Sequence, residues 1–112
     1  MRIDEKTVFR IDVFRVEPVN AEELMAAIVA TNSVFDVLEG CIQNHVLRRT
    51  TQDGEVVICT IVEWRSLAAM KPAREAVIAK HQSMALDVPS MLKRLRVTME
   101  PGVFETLDNL KV

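Results

Sequence analysis

The feature that most constrains the fold is a pair of strand-like segments joined by a short turn. Residues 41–50 and 55–64 are rich in β-branched and other apolar side chains, and Asp53 and Gly54 lie between them. Because an Asp-Gly pair accepts the backbone angles of a tight hairpin, we predict that the two strands are antiparallel neighbours. The second strand contains a nearly continuous apolar run at 56–62, which is typical of a strand covered on both faces. This strand therefore belongs in the centre of a sheet.

A strand and a helix are predicted before the hairpin. Residues 8–16 are rich in β-branched and aromatic side chains, and both faces of this strand carry apolar groups. Asn20 is a suitable helix N-cap, with Glu23 three residues later as its capping-box partner. Apolar side chains then recur at helical spacing as far as Leu38, and Gly40 is placed where a left-handed residue would end the helix.

A second helical region and a last strand are predicted after the hairpin. Ser66 opens the helical region, and Pro72 divides it into two segments because proline costs about 3 kcal/mol in a helix interior. Pro89 disturbs the chain after the second segment. Residues 96–100, together with apolar residues beyond Pro101, give a last strand and a tail.

The predicted element order is strand, helix, two strands, helix and strand. With right-handed crossovers, this βαββαβ order gives an antiparallel sheet with both helices on one face, which is the ferredoxin-like α+β arrangement. A length of 112 residues suits one domain over 1–112, with a core at about 8–105 and short tails. The opposite face of the sheet also carries apolar groups, and a second subunit is its simplest cover. We therefore expect a homodimer.

Composition excludes several classes of protein. The chain has 49% hydrophobic and 27% charged residues and a formal net charge of −2, without a large basic cluster. A general nucleic-acid or anionic-membrane binder depends on clustered positive charge, so neither partner is expected. No apolar run approaches the roughly 20 residues that a membrane-spanning helix requires. No signal-peptide core follows the charged start of the chain, so a cytoplasmic location is predicted.

The cysteines and other metal-binding residue types show no ligand spacing. Cys41 and Cys59 lie far apart in strand-like segments, and we expect buried free thiols rather than a disulfide or a redox pair. The histidines, His45 and His81, are not spaced as in a His-x-x-x-His motif. We predict no metal site.

A motif lies at the end of the predicted third strand, where residues 61–66 read Ile-Val-Glu-Trp-Arg-Ser, and an alanine-containing helix with His81 follows. In these features, and over about residues 8–105, the chain resembles the antibiotic biosynthesis monooxygenase family of dimeric α+β barrel proteins. The resemblance implies a homodimer with a pocket between sheet and helices in each subunit. Family members of known activity oxidise polycyclic phenols to quinones with molecular oxygen and without metal, flavin or haem. Relatives degrade haem or act on small signalling molecules.

The chain departs from the best-described family patterns at two places. Quinone-forming members have an asparagine four residues before the tryptophan, where this chain has Thr60. Haem-degrading relatives have an asparagine in the first strand and a second tryptophan in the following helix, where this chain has Asp12 and Ala73. The second departure disfavours haem cleavage.

Two residues are the candidates for catalysis. Trp64 is the only tryptophan, and its ring could wall a pocket while its N–H binds a substrate oxygen. Alternatively, it is a core ring or a dimer-interface anchor. His81 lies on an apolar helical face, where burial would keep it neutral and able to deprotonate a phenol. Alternatively, it is a structural histidine.

Four further residues are candidates for substrate binding. Arg10 and Asp12 share one face of the first strand, where charges are rare unless they are paired or functional. They either contact a ligand or pair with each other, and pairing of the carboxylate with Arg48 or Arg96 is a further alternative. Asn44 in the second strand and Thr60 in the third complete the set.

These observations predict a cofactor-independent monooxygenase, or a related small-molecule enzyme, that acts on an apolar or aromatic substrate with oxygen as co-substrate. The alternative is a non-catalytic dimeric protein of the same fold that binds a ligand or has a structural role. An open cavity that contains both Trp64 and His81 would favour the enzyme. A cavity filled by Met and Phe side chains would favour the alternative.

Overall fold

The computed structural model describes residues 6–107, so the predicted terminal tails lie largely outside the described part of the chain. These residues form four strands, namely β1 (Val8–Val16), β2 (Cys41–Thr50), β3 (Val56–Trp64) and β4 (Thr98–Phe104). They also form three α-helices, namely α1 (Pro18–Asn32), α2 (Met70–Ser83) and α3 (Val88–Arg94). The α+β fold is the predicted ferredoxin-like one, with the short α3 added between α2 and β4.

The sheet is antiparallel throughout, with strand order β2-β3-β1-β4. The predicted hairpin is present, and Gly54 at its turn has a φ of 92°, which favours glycine. In the register of β1 and β3, Asp12 lies opposite Thr60 and Arg10 lies opposite Val62. Because strand side chains alternate, the even-numbered residues of both central strands face the helices. Arg10, Asp12 and Thr60 are therefore on the helix-facing side.

Two apolar clusters on the helix-facing side are separated by a polar stretch. One cluster joins β1 and β3 to α1 and α3, and its Leu24 is fully buried. The other joins the opposite ends of β1 and β3 to α2, and Trp64 is its largest member. The polar residues between the two clusters are Arg10, Asp12 and Thr60. Since they replace apolar side chains that would otherwise join the clusters, the core is divided at this place.

The outer face of the sheet carries no helix within residues 6–107. Phe9, Ile11 and Val13 of β1 are half-buried there, and Ile61 lies beside them on β3. Phe104 of β4 is 53% exposed on the same face. The prediction that apolar groups occupy both sides of the sheet is thus confirmed.

The ends of α1 differ from the prediction. The helix begins at Pro18, which suits a first turn because it has a fixed φ and no N–H, so the predicted Asn20 cap is wrong. The Asn20 side chain instead donates a hydrogen bond to the Leu95 carbonyl oxygen at 3.0 Å. The helix ends at Asn32 and not at Leu38, and the chain continues as a 3-10 turn (Ser33–Val37).

Gly40 is required for space and not for a left-handed backbone. Among the described glycines, only Gly54 has a positive φ, so the predicted helix-ending role of Gly40 is wrong. A Cβ at Gly40 would lie 2.5 Å from the Cβ of Ala69, just before α2. The absence of a side chain therefore lets the start of β2 approach the start of α2.

The prolines act differently from the prediction. Pro72 lies in the first turn of α2 and does not divide the helix, and the break comes later, at Ala85, with a φ of 52°. Pro89 lies at the start of α3, where proline is tolerated. Pro101 lies within β4, an edge strand that needs hydrogen bonds on one side only.

No helix in the stretch 6–107 is long and apolar enough to cross a bilayer. Cys41 and Cys59 are free, as predicted, but they are half-buried and not fully buried. Burial raises the pKa of both thiols, with smaller contributions from nearby carboxylates. Both cysteines are therefore protonated at neutral pH.

Candidate functional site

A cavity of about 330 Å³ lies between the sheet and the helices, above the polar stretch that divides the core. This volume is within the range of small-molecule sites. Its walls are mainly apolar, with Met70, Met91 and Met99 among the lining residues. Five of the six predicted site residues line it, namely Arg10, Asp12, Thr60, Trp64 and His81. The cavity is open and is not filled by Met and Phe side chains.

Trp64 forms one wall of the cavity at the end of β3. Its ring meets that of Phe35 edge to face, with centroids 5.3 Å apart and an interplanar angle of 84°. The side chain is only 2% exposed, yet its indole N–H has no hydrogen-bond partner among residues 6–107. No fully buried side-chain nitrogen or oxygen in that range lacks a partner. The indole N–H therefore reaches open space, and it is available to an oxygen atom of a ligand.

Arg10 and Asp12 form an ion pair on the cavity floor. The Arg10 Nε donates to Asp12 Oδ1 at 2.8 Å, so the predicted mutual pairing is present. The Asp12 side chain is 16% exposed and that of Arg10 is 34% exposed. The two charges are held at the cavity because β1 is the second inner strand of the sheet and projects every other side chain towards the helices.

Thr60 lies directly across from Asp12 on β3 and is 4% exposed. Its hydroxyl has no hydrogen-bond partner in the described part of the chain. Because no fully buried side-chain oxygen within residues 6–107 lacks a partner, the Thr60 hydroxyl oxygen reaches the open space of the cavity. Thr60 is therefore a second polar group that is open to the cavity.

His81 is held by Thr31, a residue of α1 that is not among the predicted site residues. The Thr31 hydroxyl donates to the Ala27 carbonyl oxygen at 2.8 Å and lies 2.8 Å from His81 Nε2. A hydroxyl has one hydrogen to donate, and while Thr31 donates it to Ala27 it can only accept from His81, which requires the Nε2–H tautomer. In the neutral ring Nδ1 is then the unprotonated nitrogen. Burial also lowers the pKa of His81 from its ordinary value, which favours this neutral form.

Asn44 does not line the cavity. Its amide donates to the Asn32 carbonyl oxygen at 2.8 Å and accepts from the Asn32 side chain at 2.8 Å. These bonds join β2 to the end of α1. Asn32 is among the residues that line the cavity, so Asn44 acts on the cavity wall only through this neighbour.

The outer face of the sheet carries a separate polar chain. His45 Nε2 lies 2.8 Å from Gln43 Oε1, and Gln43 Nε2 donates to Glu63 Oε1 at 2.7 Å. These residues are on the side of the sheet that is opposite to the cavity. Within residues 6–107, no three His, Cys, Asp or Glu side chains lie close enough together to hold a metal ion.

Comparison with known proteins gives both a family and a fold. Residues 7–81 match the family described as antibiotic biosynthesis monooxygenase. A protein of unknown function from Bacteroides thetaiotaomicron superposes with a TM-score of 0.68 at 17% identity, over 91% of this chain and 99% of that one. SnoaB, a cofactor-independent oxygenase from Streptomyces nogalater, superposes with a TM-score of 0.61 at 21% identity, over 96% and 99% of the two chains. Rv0793 from Mycobacterium tuberculosis gives a TM-score of 0.64 at 21% identity, over 94% and 99%.

A search of curated proteins gave no match. These three structures are all below 25% identity, so they establish the fold and not the reaction. The family match covers well over half of the chain and includes the Glu63-Trp64-Arg65-Ser66 motif and His81. The chain therefore belongs to the antibiotic biosynthesis monooxygenase family.

Proposed function

We propose that the protein is a cofactor-independent monooxygenase that oxidises an apolar, aromatic phenol in the cavity. The observation that carries this proposal is that the Trp64 indole N–H and the neutral His81 ring line the same open cavity. Trp64 positions the substrate by binding one of its oxygen atoms. His81 accepts the phenolic proton at Nδ1, because Nε2 carries the ring hydrogen and donates it in a hydrogen bond to the Thr31 hydroxyl.

Deprotonation is the step that the protein assists. A phenolate transfers an electron to dioxygen far more readily than a phenol does, so a base placed beside the substrate accelerates the first step. Dioxygen then bonds to a ring carbon that carries hydrogen, and the O–O bond breaks. One oxygen atom becomes the new quinone carbonyl, and the other leaves as water with the two hydrogens lost by the substrate. The substrate supplies all the electrons, so the reaction needs no external reductant.

The alternative is a non-catalytic dimeric protein that binds a similar ligand. The observation that favours it is Thr60, which stands where the quinone-forming members of the family have asparagine. An asparagine amide supplies two N–H donors to a substrate oxygen, whereas the threonine hydroxyl supplies one. A protein of this class would bind the same aromatic ligands without consuming oxygen.

Oxygen uptake separates the two candidates. Purified protein is incubated with a panel of dihydroxylated polycyclic phenols, and dioxygen consumption and quinone absorbance are followed. Wild type consumes oxygen with at least one phenol, and His81→Ala loses most of that activity. Gln82→Ala, an exposed neighbour on α2, is the matched control and retains it. Absence of uptake with every phenol, or equal activity of His81→Ala, contradicts the proposed enzyme.

We also infer that the protein works as a homodimer through the outer sheet face. Phe9, Ile11 and Val13 are only half-buried there, and Leu47 on β2 is 50% exposed. A contiguous apolar face of this kind is unfavourable in water and is typical of an interface. Light scattering tests the inference, since each subunit is 12.7 kDa and a dimer has twice that mass. A stable monomer at micromolar concentration contradicts it. The cytoplasmic location remains a prediction.

A further inference from the structure

The charges around the cavity do not balance. The permanently charged side chains that line it are those of Arg10, Asp12 and Arg74. Two guanidinium groups against one carboxylate leave a formal charge of +1, and a neutral His81 adds nothing to it. Because Arg74 is exposed to solvent, its contribution is screened, and Arg10 is the cation that a ligand on the cavity floor would meet.

Arg10 keeps most of its hydrogen-bonding capacity. Only its Nε is used, by a single oxygen of Asp12. Within residues 6–107, neither Nη1 nor Nη2 has a hydrogen-bond partner. The guanidinium therefore retains the edge formed by its two terminal nitrogens, which matches the two oxygens of a planar carboxylate.

Other donors without partners lie on the same surface. The Thr60 hydroxyl is across the β1–β3 ladder from Asp12, and therefore diagonal to Arg10. Trp64 is also diagonal to Arg10, on the other side of Val62. Diagonal residues on one sheet face are within reach of long and aromatic side chains. Three sets of donors, all without partners within residues 6–107, thus lie on neighbouring positions of one sheet face and line the same cavity.

We propose, on the basis of the function proposed above, that the cavity selects an apolar monoanion whose negatively charged oxygen binds the terminal nitrogens of Arg10. The oxygen belongs either to a carboxylate substituent or to the phenolate itself, and both present the same charged acceptor. Asp12 holds the Arg10 guanidinium in place through Nε. The two terminal nitrogens of Arg10 remain free to bind the ligand. The apolar walls contact the rings of the ligand.

A ligand of another charge would fit less well. A neutral apolar ligand would expel water from the cavity and leave the Arg10 N–H groups without acceptors, which is unfavourable. A cation would meet a net positive surface. An anion supplies the missing acceptor and brings the formal charge of the lining and ligand together to zero.

Calorimetric titration with three ligands that share one ring system tests this selection. The ligands are 2-naphthoate, its neutral amide 2-naphthamide, and the cation 2-naphthylmethylammonium. Wild type binds 2-naphthoate about tenfold or more tightly than either of the others at low ionic strength. The double variant Arg10→Gln/Asp12→Asn removes both charges at nearly constant volume, and it binds the acid and the amide within about threefold of each other.

The control and the second variant keep the test decisive. Lys93→Gln removes an exposed positive charge of α3 that does not line the cavity, and it retains the preference for the acid. If the double variant does not fold, Arg10→Lys replaces it, because lysine keeps the charge but loses the two-nitrogen edge. This variant binds 2-naphthoate more weakly than wild type does.

The absorbance of bound 2-naphthol distinguishes the two sources of the anion, since its ionised form absorbs at longer wavelength. Ionisation of bound 2-naphthol below the pKa of the free ligand identifies the phenolate, whereas selective binding of 2-naphthoate alone identifies a carboxylate. The proposal is overturned if wild type shows no preference for 2-naphthoate, or if the preference survives in Arg10→Gln/Asp12→Asn. It is also overturned if Arg10→Lys binds 2-naphthoate as tightly as wild type does. Selective binding of 2-naphthoate without oxygen uptake would support the proposed anion selection and would contradict only the proposed monooxygenase activity.

Discussion

His81 Nε2 lies 2.8 Å from the hydroxyl oxygen of Thr31, across the contact between α2 and α1. The Thr31 hydrogen is directed to the Ala27 carbonyl oxygen one turn earlier in its own helix. While it donates to Ala27, the hydroxyl can only accept from the imidazole, and this arrangement requires the hydrogen of the neutral ring to be on Nε2. A threonine that resembles an ordinary helix residue thus defines which nitrogen of His81 is the proton acceptor.

Thr31→Val is expected to remove the hydroxyl that selects the Nε2–H tautomer of His81, while the side-chain volume remains almost constant. The ring nitrogens of His81 then shift from the Nε2–H form towards a mixture, which nitrogen-15 NMR of labelled histidine detects. His45, on the opposite face of the sheet, is the only other histidine and is the internal reference. Oxygen uptake falls by about tenfold, which is less than the roughly 10²–10⁴-fold contribution of a general base because His81 itself is still present.

Thr31→Ser is the matched control for this experiment. Serine retains the hydroxyl, so His81 remains in the Nε2–H form and oxygen uptake stays near the wild-type rate. The proposed role of Thr31 is wrong if wild-type His81 is found in the Nδ1–H form. It is also wrong if Thr31→Val leaves the nitrogen shifts unchanged.

The pH dependence of activity follows from the burial of His81. Burial lowers its pKa below the ordinary value of 6.5, and the charged groups that share its cavity are Arg10, Asp12 and Arg74. More than half of the base is then neutral at pH 6.5, so kcat/KM should fall to half its plateau only at a lower pH. An inflection above pH 6.5 would show that another group acts as the base. An inflection that persists in the residual activity of His81→Gln would show the same.

The same shift has a consequence for stability. Because the unfolded state binds the proton of His81 more readily than the folded state, the stabilisation is fully present above pH 6.5 and is lost as pH falls through the folded-state pKa. Urea unfolding of wild type and His81→Gln at several pH values measures this difference. The variant should lose less stability than wild type as the pH falls below 6.5. If the free energy of unfolding has the same pH dependence in both proteins, the lowered pKa of His81 is not the cause.

The fold was predictable because its signals are local. Asp53 and Gly54 identify the hairpin, and the alternation in β1 places Arg10 and Asp12 on one face without knowledge of the tertiary structure. The errors came where two signals competed over a few residues. Asn20 has a capping side chain, but Pro18 begins the helix two residues earlier, and the Asn20 amide binds a carbonyl from a distant part of the chain.

The candidate site was predictable only in part, for a physical reason. Strand alternation was enough to find Arg10 and Asp12, because it places both side chains on one face of β1, and the resemblance to the family pointed to Thr60. Thr31 and Asn32 were not identified as site residues, because their roles depend on how α2 and β2 dock against α1. The sequence contains a faint signal for both, since they are polar residues at the end of an otherwise apolar helix.

Gly40→Ala is expected to destabilise the protein by about 1–3 kcal/mol, as overpacking of a buried contact does. The new methyl group would lie 2.5 Å from the Ala69 Cβ, so β2 or the start of α2 must move. Urea denaturation measures the change. Ala69→Gly in the same chain removes the opposing methyl group and should restore part of the loss, whereas additive effects of the two substitutions would show that the clash is not the cause.

Thr60→Val separates ligand binding from stability. The Thr60 hydroxyl has no partner within residues 6–107, so valine, which has nearly the same shape, should leave the free energy of unfolding unchanged or raise it by up to about 1 kcal/mol. A ligand oxygen that bonds to this hydroxyl loses its donor, and the affinity for 2-naphthoate should fall by about three- to tenfold. Thermal unfolding without ligand and calorimetric titration with it measure the two quantities on the same samples.

Thr51→Val, in the hairpin turn, is the matched control for Thr60→Val. The Thr51 hydroxyl accepts from the Glu55 backbone N–H at 3.1 Å, so its removal costs stability and leaves ligand affinity unchanged. The two threonines therefore have opposite expected patterns. If Thr60→Val lowers stability as Thr51→Val does and does not alter affinity, the Thr60 hydroxyl has a structural role and the cavity floor does not use it to bind a ligand.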